Sequence, residues 1–253
     1  MLNASTPDEA TTSSELEART EIRRVAHGAR LLIGVGVLLY AVGLIVGFAL
    51  VGRHGNGAIQ GLDNAAGRWF LTHRAPFVPV SRFIATYLDA LPLGVGCFVV
   101  SVALGMRFRA TWALVPFVSY LGGEGLVTAI RLVIHRARPL TAVYPAAGSI
   151  SGMHETSYSF PSGHAVAVTS VLFAMFGVLA MTKKTWWPWI IAALLSLLVG
   201  YSRLVLGVHW LSDVVIGVAI GAIWGITVAA VARTVAFGDL RAAIRRGTAS
   251  LRR

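Results

Sequence analysis

Three short strings hold the side chains best suited to chemistry. RLVIHRARP runs from Arg131 to Pro139, PSGH from Pro161 to His164, and SRLVLGVHWLSD from Ser202 to Asp213. Arg131, Arg138 and Arg203 offer planar donor forks that match phosphate oxygens. Ser162 and Gly163 fall where an apolar run begins, so backbone N–H groups and the positive end of a helix dipole would face an anion there. His209 and Asp213 are four apart and share one helix face. A carboxylate so placed accepts a hydrogen bond from one imidazole nitrogen and leaves the other as a nucleophile. His164 supplies an acid, since histidine has an unperturbed pKa of about 6.5. The set reads as an anion cradle with a nucleophile, an orienter and a proton donor. A metal site built from His164, His209 and Asp213 is the alternative, but so many arginines repel a divalent cation and suit an anion. Neither a metal nor a cofactor is expected.

The elements that must position these residues follow from composition. The chain has 253 residues, 56% hydrophobic and only 13% charged, with a mean hydropathy of +0.71. A soluble domain is closer to about 45–50% apolar and about 25% charged, which excludes a soluble enzyme, a disordered chain and a collagen. Six runs reach the roughly 20 apolar residues that cross a bilayer core: Leu31–Val51, Ile84–Met106, Trp112–Val133, His164–Met181, Trp187–Leu206 and Leu211–Ala232. The expected fold is all-α, a polytopic membrane protein with six transmembrane helices. Residues 1–30 form a flexible cytoplasmic segment, 31–236 the membrane domain and 237–253 a basic cytoplasmic tail. Met1 to Thr20, rich in Ser, Thr, Ala and Glu, is expected to be disordered. The first thirty residues lack the apolar core of a cleavable signal peptide. Between the first two spans, Ile59, Leu62, Ala65, Ala66, Trp69 and Phe70 recur with a helical period, as in a helix lying on the outer membrane surface.

The formal net charge of +11 invites a nucleic-acid reading, but much of the excess lies between apolar runs, where it orients a membrane protein. No nucleic-acid partner is expected. Counting Lys and Arg on alternate sides gives fourteen with the termini and eight opposite: Arg53, Arg68, Arg74, Arg82, Arg131, Arg136, Arg138 and Arg203. The richer side is cytoplasmic by the positive-inside rule, so both termini lie inside and all three strings meet at the outer face. The lone cysteine, Cys97, lies in an apolar run, lipid-facing or packed, and can form no intramolecular disulfide.

The strings resemble the signature of the type 2 phosphatidic acid phosphatase superfamily, K-x6-R-P, P-S-G-H and S-R-x5-H-x3-D. Pro161, Ser162, Gly163 and His164 match the second element, and Ser202, Arg203, His209 and Asp213 the third, at every fixed position. The first departs once: Arg131 stands where the family has lysine, which keeps the charge but enlarges the head group. The resemblance implies a metal-independent lipid phosphatase. His209 would attack phosphorus to give a phosphohistidine, His164 would protonate the leaving oxygen and then activate water, and Asp213 would orient His209. Arg131, Arg138, Ser162, Gly163 and Arg203 would hold the non-bridging oxygens. Substrates implied are phosphatidic acid, phosphatidylglycerol phosphate or a polyprenyl diphosphate, with an undecaprenyl-type carrier placed first and a bacterial inner membrane as the location. Two rivals remain: transfer of the same phosphoryl group to a lipid or sugar hydroxyl, and a non-catalytic lipid-binding or transport protein. Oligomeric state is not legible.

Outside the motifs, Arg136 matches no fixed position and reads as an interfacial anchor. Asp89 and Glu124 fall inside expected spans, where an ionisable group is a functional candidate by default. His135 and His154 read as solvated residues of the long outer loop, His135 to Pro161. Trp186, Trp187 and Trp189 read as an aromatic belt.

Overall fold

Apolar segments can satisfy their backbone groups in lipid only as helices or closed barrels. The computed structural model describes residues 7–52, 57–73, 75–108, 111–139 and 157–250, and all regular structure among them is helical. In chain order the helices are α1 (Pro7–Val46), which ends in a π-helical turn at Gly47–Val51, α2 (Gln60–His73) and α3 (Val78–Tyr87). Then follow α4 (Ala90–Phe108), α5 (Val115–Arg131), α6 (Gly163–Lys183), α7 (Trp187–Val205) and α8 (Leu211–Ser250). Six stretches are long and apolar enough to cross a membrane: Ile22–Val51, Ala90–Arg107, Trp112–Arg131, Gly163–Lys183, Trp187–Val205 and Leu211–Thr234. The six-span expectation therefore holds.

Three boundaries differ from the sequence reading, and the simplest is the first span, which begins at Ile22 and not at Leu31. The second span does not begin at Ile84, because the chain breaks at Leu88 and Asp89 and α3 stands apart from α4. The break has a local cause. Asp89 sits at the start of α4, its carbonyl accepting the Leu93 N–H at 2.9 Å, and Pro92 falls in the first turn, where a missing N–H costs no helix bond. At the other end of the chain, the disorder expected up to Thr20 gives way to helix from Pro7 onward. Proline at the first helical position, followed by Asp8 and Glu9, is the residue set that favours a helix start.

The bundle is centred on α6 and α8. Gly217, Gly221 and Gly225 recur every fourth residue on α8 and lie against the α6 backbone. A Cβ added at Gly221 would stand 2.6 Å from the Val166 carbonyl oxygen, and one at Gly225 would press on the Ser170 carbonyl. Small residues at such a seam let two membrane helices approach closely, gaining dispersion where no hydrophobic force acts between them. α5 joins through Trp224, whose indole Nε1 donates to the Ser119 carbonyl at 3.2 Å and whose ring fills the space left by Gly122. Leu39 of α1, Val127 and Ile130 of α5, Val166 of α6 and Ile220 of α8 complete the core. Cys97 is buried, the packed alternative. Because α5 and α7 end at the face where α6 and α8 begin, all three motif strings come to one end of the bundle.

The seam yields a direct test. Gly221→Ala should destabilise the protein by about 1–3 kcal/mol, the usual cost of overpacking, read as a lower melting temperature in detergent. An unchanged melting temperature would show that the seam relaxes freely.

Candidate active site

The starts of α6 and α8 are tied together. The Ser162 N–H donates to the Asp213 carbonyl at 3.1 Å, which sets His164, one residue into α6, beside the turn that carries His209. That bond also corrects an expectation: the Ser162 amide is committed within the protein, leaving Gly163 and its successors at the open start of α6. The Ser162 hydroxyl is buried and has no hydrogen-bond partner among the described residues.

A cavity of about 160 Å³ opens at this end of the bundle. Its wall includes Arg131, Arg138, Gly163, His164 and His209 from the motif strings, with Asp89, Glu124 and Ser157 beside them. Pockets that bury a drug-sized ligand are larger, about 300–1,000 Å³. This one has room for a group of about the size of a phosphate or diphosphate. Three of the expected catalytic and phosphate-binding residues are not part of its wall: Ser162, Arg203 and Asp213 are 0% exposed.

Each arginine of the wall is held by backbone. Arg131 donates from Nη2 to the Pro161 carbonyl at 3.0 Å and approaches the Ser157 hydroxyl at 3.4 Å. A Cβ on Gly163 would lie 3.3 Å from Arg131 Nη2, so the missing side chain lets the guanidinium rest against the start of α6. Arg138 donates from Nε to the Ser157 carbonyl at 2.7 Å and from Nη1 to the Val208 carbonyl at 2.9 Å. The same Nη1 stands 3.1 Å from His209 Nε2. Since guanidinium has only donors, this contact assigns the lone pair of His209 to Nε2, the nitrogen beside Arg138. Its other nitrogen, Nδ1, stands 3.5 Å from Asp213 Oδ2.

Asp213 is itself fixed from two directions. Oδ2 accepts the Trp210 N–H at 3.0 Å, while Oδ1 takes Arg136 Nη1 at 2.6 Å. The other end of that guanidinium binds Asp63 Oδ2, again at 2.6 Å, and both pairs are fully buried. Arg136 also donates to Ser212 Oγ at 2.8 Å and to Gln60 Oε1 at 3.0 Å, and lies 5.1 Å from the centre of the Trp210 ring. The anchor reading of Arg136 is thus overturned. An arginine at an interface keeps its head group in water, whereas this one is enclosed between two carboxylates. Asp63 was missed too. Its position on α2 coincides with the apolar stripe of Ile59, Ala66 and Phe70, and a carboxylate on an apolar stripe is a sequence-level sign of a buried partner.

The remaining residues sort plainly. Asp89 is exposed at the break before α4, with Oδ1 3.7 Å from His164 Nε2, and that nitrogen also lies 3.1 Å from the Ala85 carbonyl. Glu124 lines the cavity. His135 stacks on Tyr158 with ring centres 4.4 Å apart, whereas His154 lies outside the described residues. Trp186 and Trp187 are exposed, as a belt requires, but Trp189 packs on Phe173 and Gly177.

Comparison with known proteins meets this geometry from outside. The pattern of the PAP2 superfamily matches residues 112–236. A phosphatidylglycerophosphatase B from Bacillus subtilis is 31% identical over 175 residues, 65% of this chain and 80% of the relative. The chain belongs to the PAP2 superfamily. An undecaprenyl-diphosphatase from Sulfolobus acidocaldarius is 34% identical over 91 residues, covering 36% of this chain and 41% of that one. The crystal structure of a transmembrane PAP2 type phosphatidylglycerolphosphate phosphatase from Bacillus subtilis superposes with a TM-score of 0.62 at 26% identity, over 76% of this chain and 93% of that one. The PAP2 match takes in all three motif strings, from Arg131 to Asp213, and these three proteins bear the names of lipid phosphatases, whereas a further relative, from Bacillus licheniformis, 30% identical over 56% of this chain and 66% of that one, is named a bacitracin transport permease protein.

Proposed function

We propose that the protein hydrolyses a lipid-linked phosphate or diphosphate through a phosphohistidine on His209. The observation that carries this reading is the setting of His209 in the cavity wall, with Nε2 beside Arg138 and Nδ1 toward Asp213. In the first step Nε2 attacks phosphorus, a P–N bond forms, and the P–O bond to the lipid breaks as His164 gives its proton to the departing oxygen. In the second, water attacks phosphorus and passes a proton to His164, the P–N bond breaks, and phosphate leaves. Arg131 and Arg138 hold the non-bridging oxygens, with the open amides at the start of α6, so charge is met by donors already in place. Arg203 and Ser162, expected with them as phosphate ligands, are fully buried and outside the cavity wall.

The substrate class is a phosphatidylglycerol phosphate, a phosphatidic acid or a polyprenyl diphosphate. A cavity of head-group size at the end of a helical bundle admits such a molecule by lateral diffusion, the tail remaining in lipid. The site faces the periplasmic or extracellular side and both termini face the cytoplasm. Charge supports this orientation: of the eight positive residues on the site's side, Arg131, Arg136, Arg138 and Arg203 are occupied with the site. Few remain there to compete with the fourteen opposite.

The test is release of inorganic phosphate by the purified protein in detergent with a chelator present, across the three lipid classes. Release should survive chelation. His164→Ala should lose more activity on a lipid monoester than on an activated aryl phosphate, because an acid matters most when the departing oxygen is basic. Equal losses on both would remove His164 from that role. No release from any lipid, with transfer to an added hydroxyl acceptor instead, would replace hydrolysis by phosphotransfer.

A further inference from the structure

Asp63 lies on α2, far in sequence from all three motif strings, and contributes nothing to the cavity wall. Yet its carboxylate is 0% exposed, and among the described residues it is held by Arg136, which binds Asp213, and by Ser212, which precedes it. Oδ1 accepts the Ser212 N–H at 2.9 Å, and Oδ2 accepts the Ser212 hydroxyl at 2.6 Å together with Arg136 Nη2 at 2.6 Å. The Arg136 guanidinium then reaches Asp213 Oδ1 through Nη1. We propose that Asp63 is a positioning residue for the reaction, acting through Arg136 on Asp213 and thereby on His209. This rests on the reading of His209 as the nucleophile.

The argument is one of charge and geometry. Arg136 between two carboxylates leaves the buried trio with one net negative charge, and the nearest acceptor of positive charge is His209. As phosphorus bonds to Nε2 the imidazole ring becomes cationic, and a buried charge of opposite sign is worth most in a site of low dielectric. Without Asp63, Arg136 would answer Asp213 alone and the trio would be neutral toward the ring. Geometry points the same way. Asp63 and Ser212 pin Arg136 on the Oδ1 side of Asp213, which keeps Oδ2 turned to His209 Nδ1 at 3.5 Å. The charged and titratable groups that share the cavity wall with His209, Arg138, Arg131, His164, Glu124 and Asp89, come from other elements; Asp63 reaches the ring only through Arg136 and Asp213.

Asp63→Asn keeps the shape and removes the charge. Per folded molecule it should lower kcat by roughly 10- to 100-fold with KM within about threefold of the parent, the pattern of an orienting partner outside direct contact. The double variant Asp63→Asn with Asp213→Asn should be no slower than Asp213→Asn alone, since both act through one group. A merely structural role would reduce the yield of folded protein but leave kcat per folded molecule in place. Parental kcat in folded Asp63→Asn, or losses that multiply in the double variant, would overturn the proposal. Should Asp63→Asn not fold, Ser212→Ala removes one bond to Asp63 and one from Arg136, and should lower kcat several-fold with KM unchanged; parental kcat there would equally overturn it. His209→Ala run alongside separates the two readings: turnover retained in that variant defeats the nucleophile assignment, whatever Asp63→Asn does.

Discussion

His209→Ala is expected to lower turnover by about four to six orders of magnitude while leaving the protein folded. The size follows from the loss of the group that forms the covalent bond; removal of a nucleophile from a working constellation costs about as much as removal of the whole constellation. What activity remains would come from the arginine cradle holding phosphate for direct attack by water. The change is small in volume and the ring faces a cavity already open on one side, so packing does not suffer. Arg138 loses a neighbour at 3.1 Å but keeps its bonds to the Ser157 and Val208 carbonyls, and the cradle should still bind phosphate. Inhibition of the parent and binding to the variant by inorganic phosphate should therefore have similar midpoints. Phosphate release near the parental rate would sink the assignment.

Arg136→Ala is expected to act on stability before it acts on rate. It would leave Asp63 and Asp213 buried with no cation between them, and breaking a fully buried pair by removing one partner costs about 3–5 kcal/mol. Here a single arginine serves two carboxylates, so the upper part of that range applies. For a chain of this size the loss translates into a fall in melting temperature of roughly 10 °C or more. Arg136→Lys should recover part of it, since one ammonium keeps the charge but cannot bridge both carboxylates with a planar fork. A melting temperature for Arg136→Ala within about 2 °C of the parent would show that the two acids are satisfied without the guanidinium.

Arg136 also marks the limit of what the sequence discloses. Five residues of the cavity wall, Arg131, Arg138, Gly163, His164 and His209, were legible because their identity and spacing recur as three ordered strings, and apolar run length alone places those strings at span ends. Arg136 stood between two of these residues and read as an anchor, because the positive-inside rule judges an arginine by its side of the membrane and not by its partner. The partner, Asp63, is 73 residues away, and no local periodicity reports a contact at that distance. The one available sign, a carboxylate on the apolar stripe of α2, was hidden by the expectation that such a helix floats at the interface. The break at Asp89 escaped for a different reason. Hydropathy averages across Ile84–Ala90 and does not register that a carboxylate before Leu91 and Pro92 starts a new helix. The same averaging concealed how close the exposed Asp89 comes to His164, a neighbour it acquires only because α3 and α4 are separate.

The central claim is the covalent bond between phosphorus and His209, and the most direct measurement is rapid quenching into alkali of the protein turning over a lipid phosphate labelled on phosphorus. A phosphoramidate survives alkali and is lost in acid. The account predicts label on the protein within the first turnover, stable in alkali, released by acid, carried on the peptide that contains His209, and absent from His209→Ala. Turnover in the same samples with no alkali-stable label, or label carried on another residue, would contradict it.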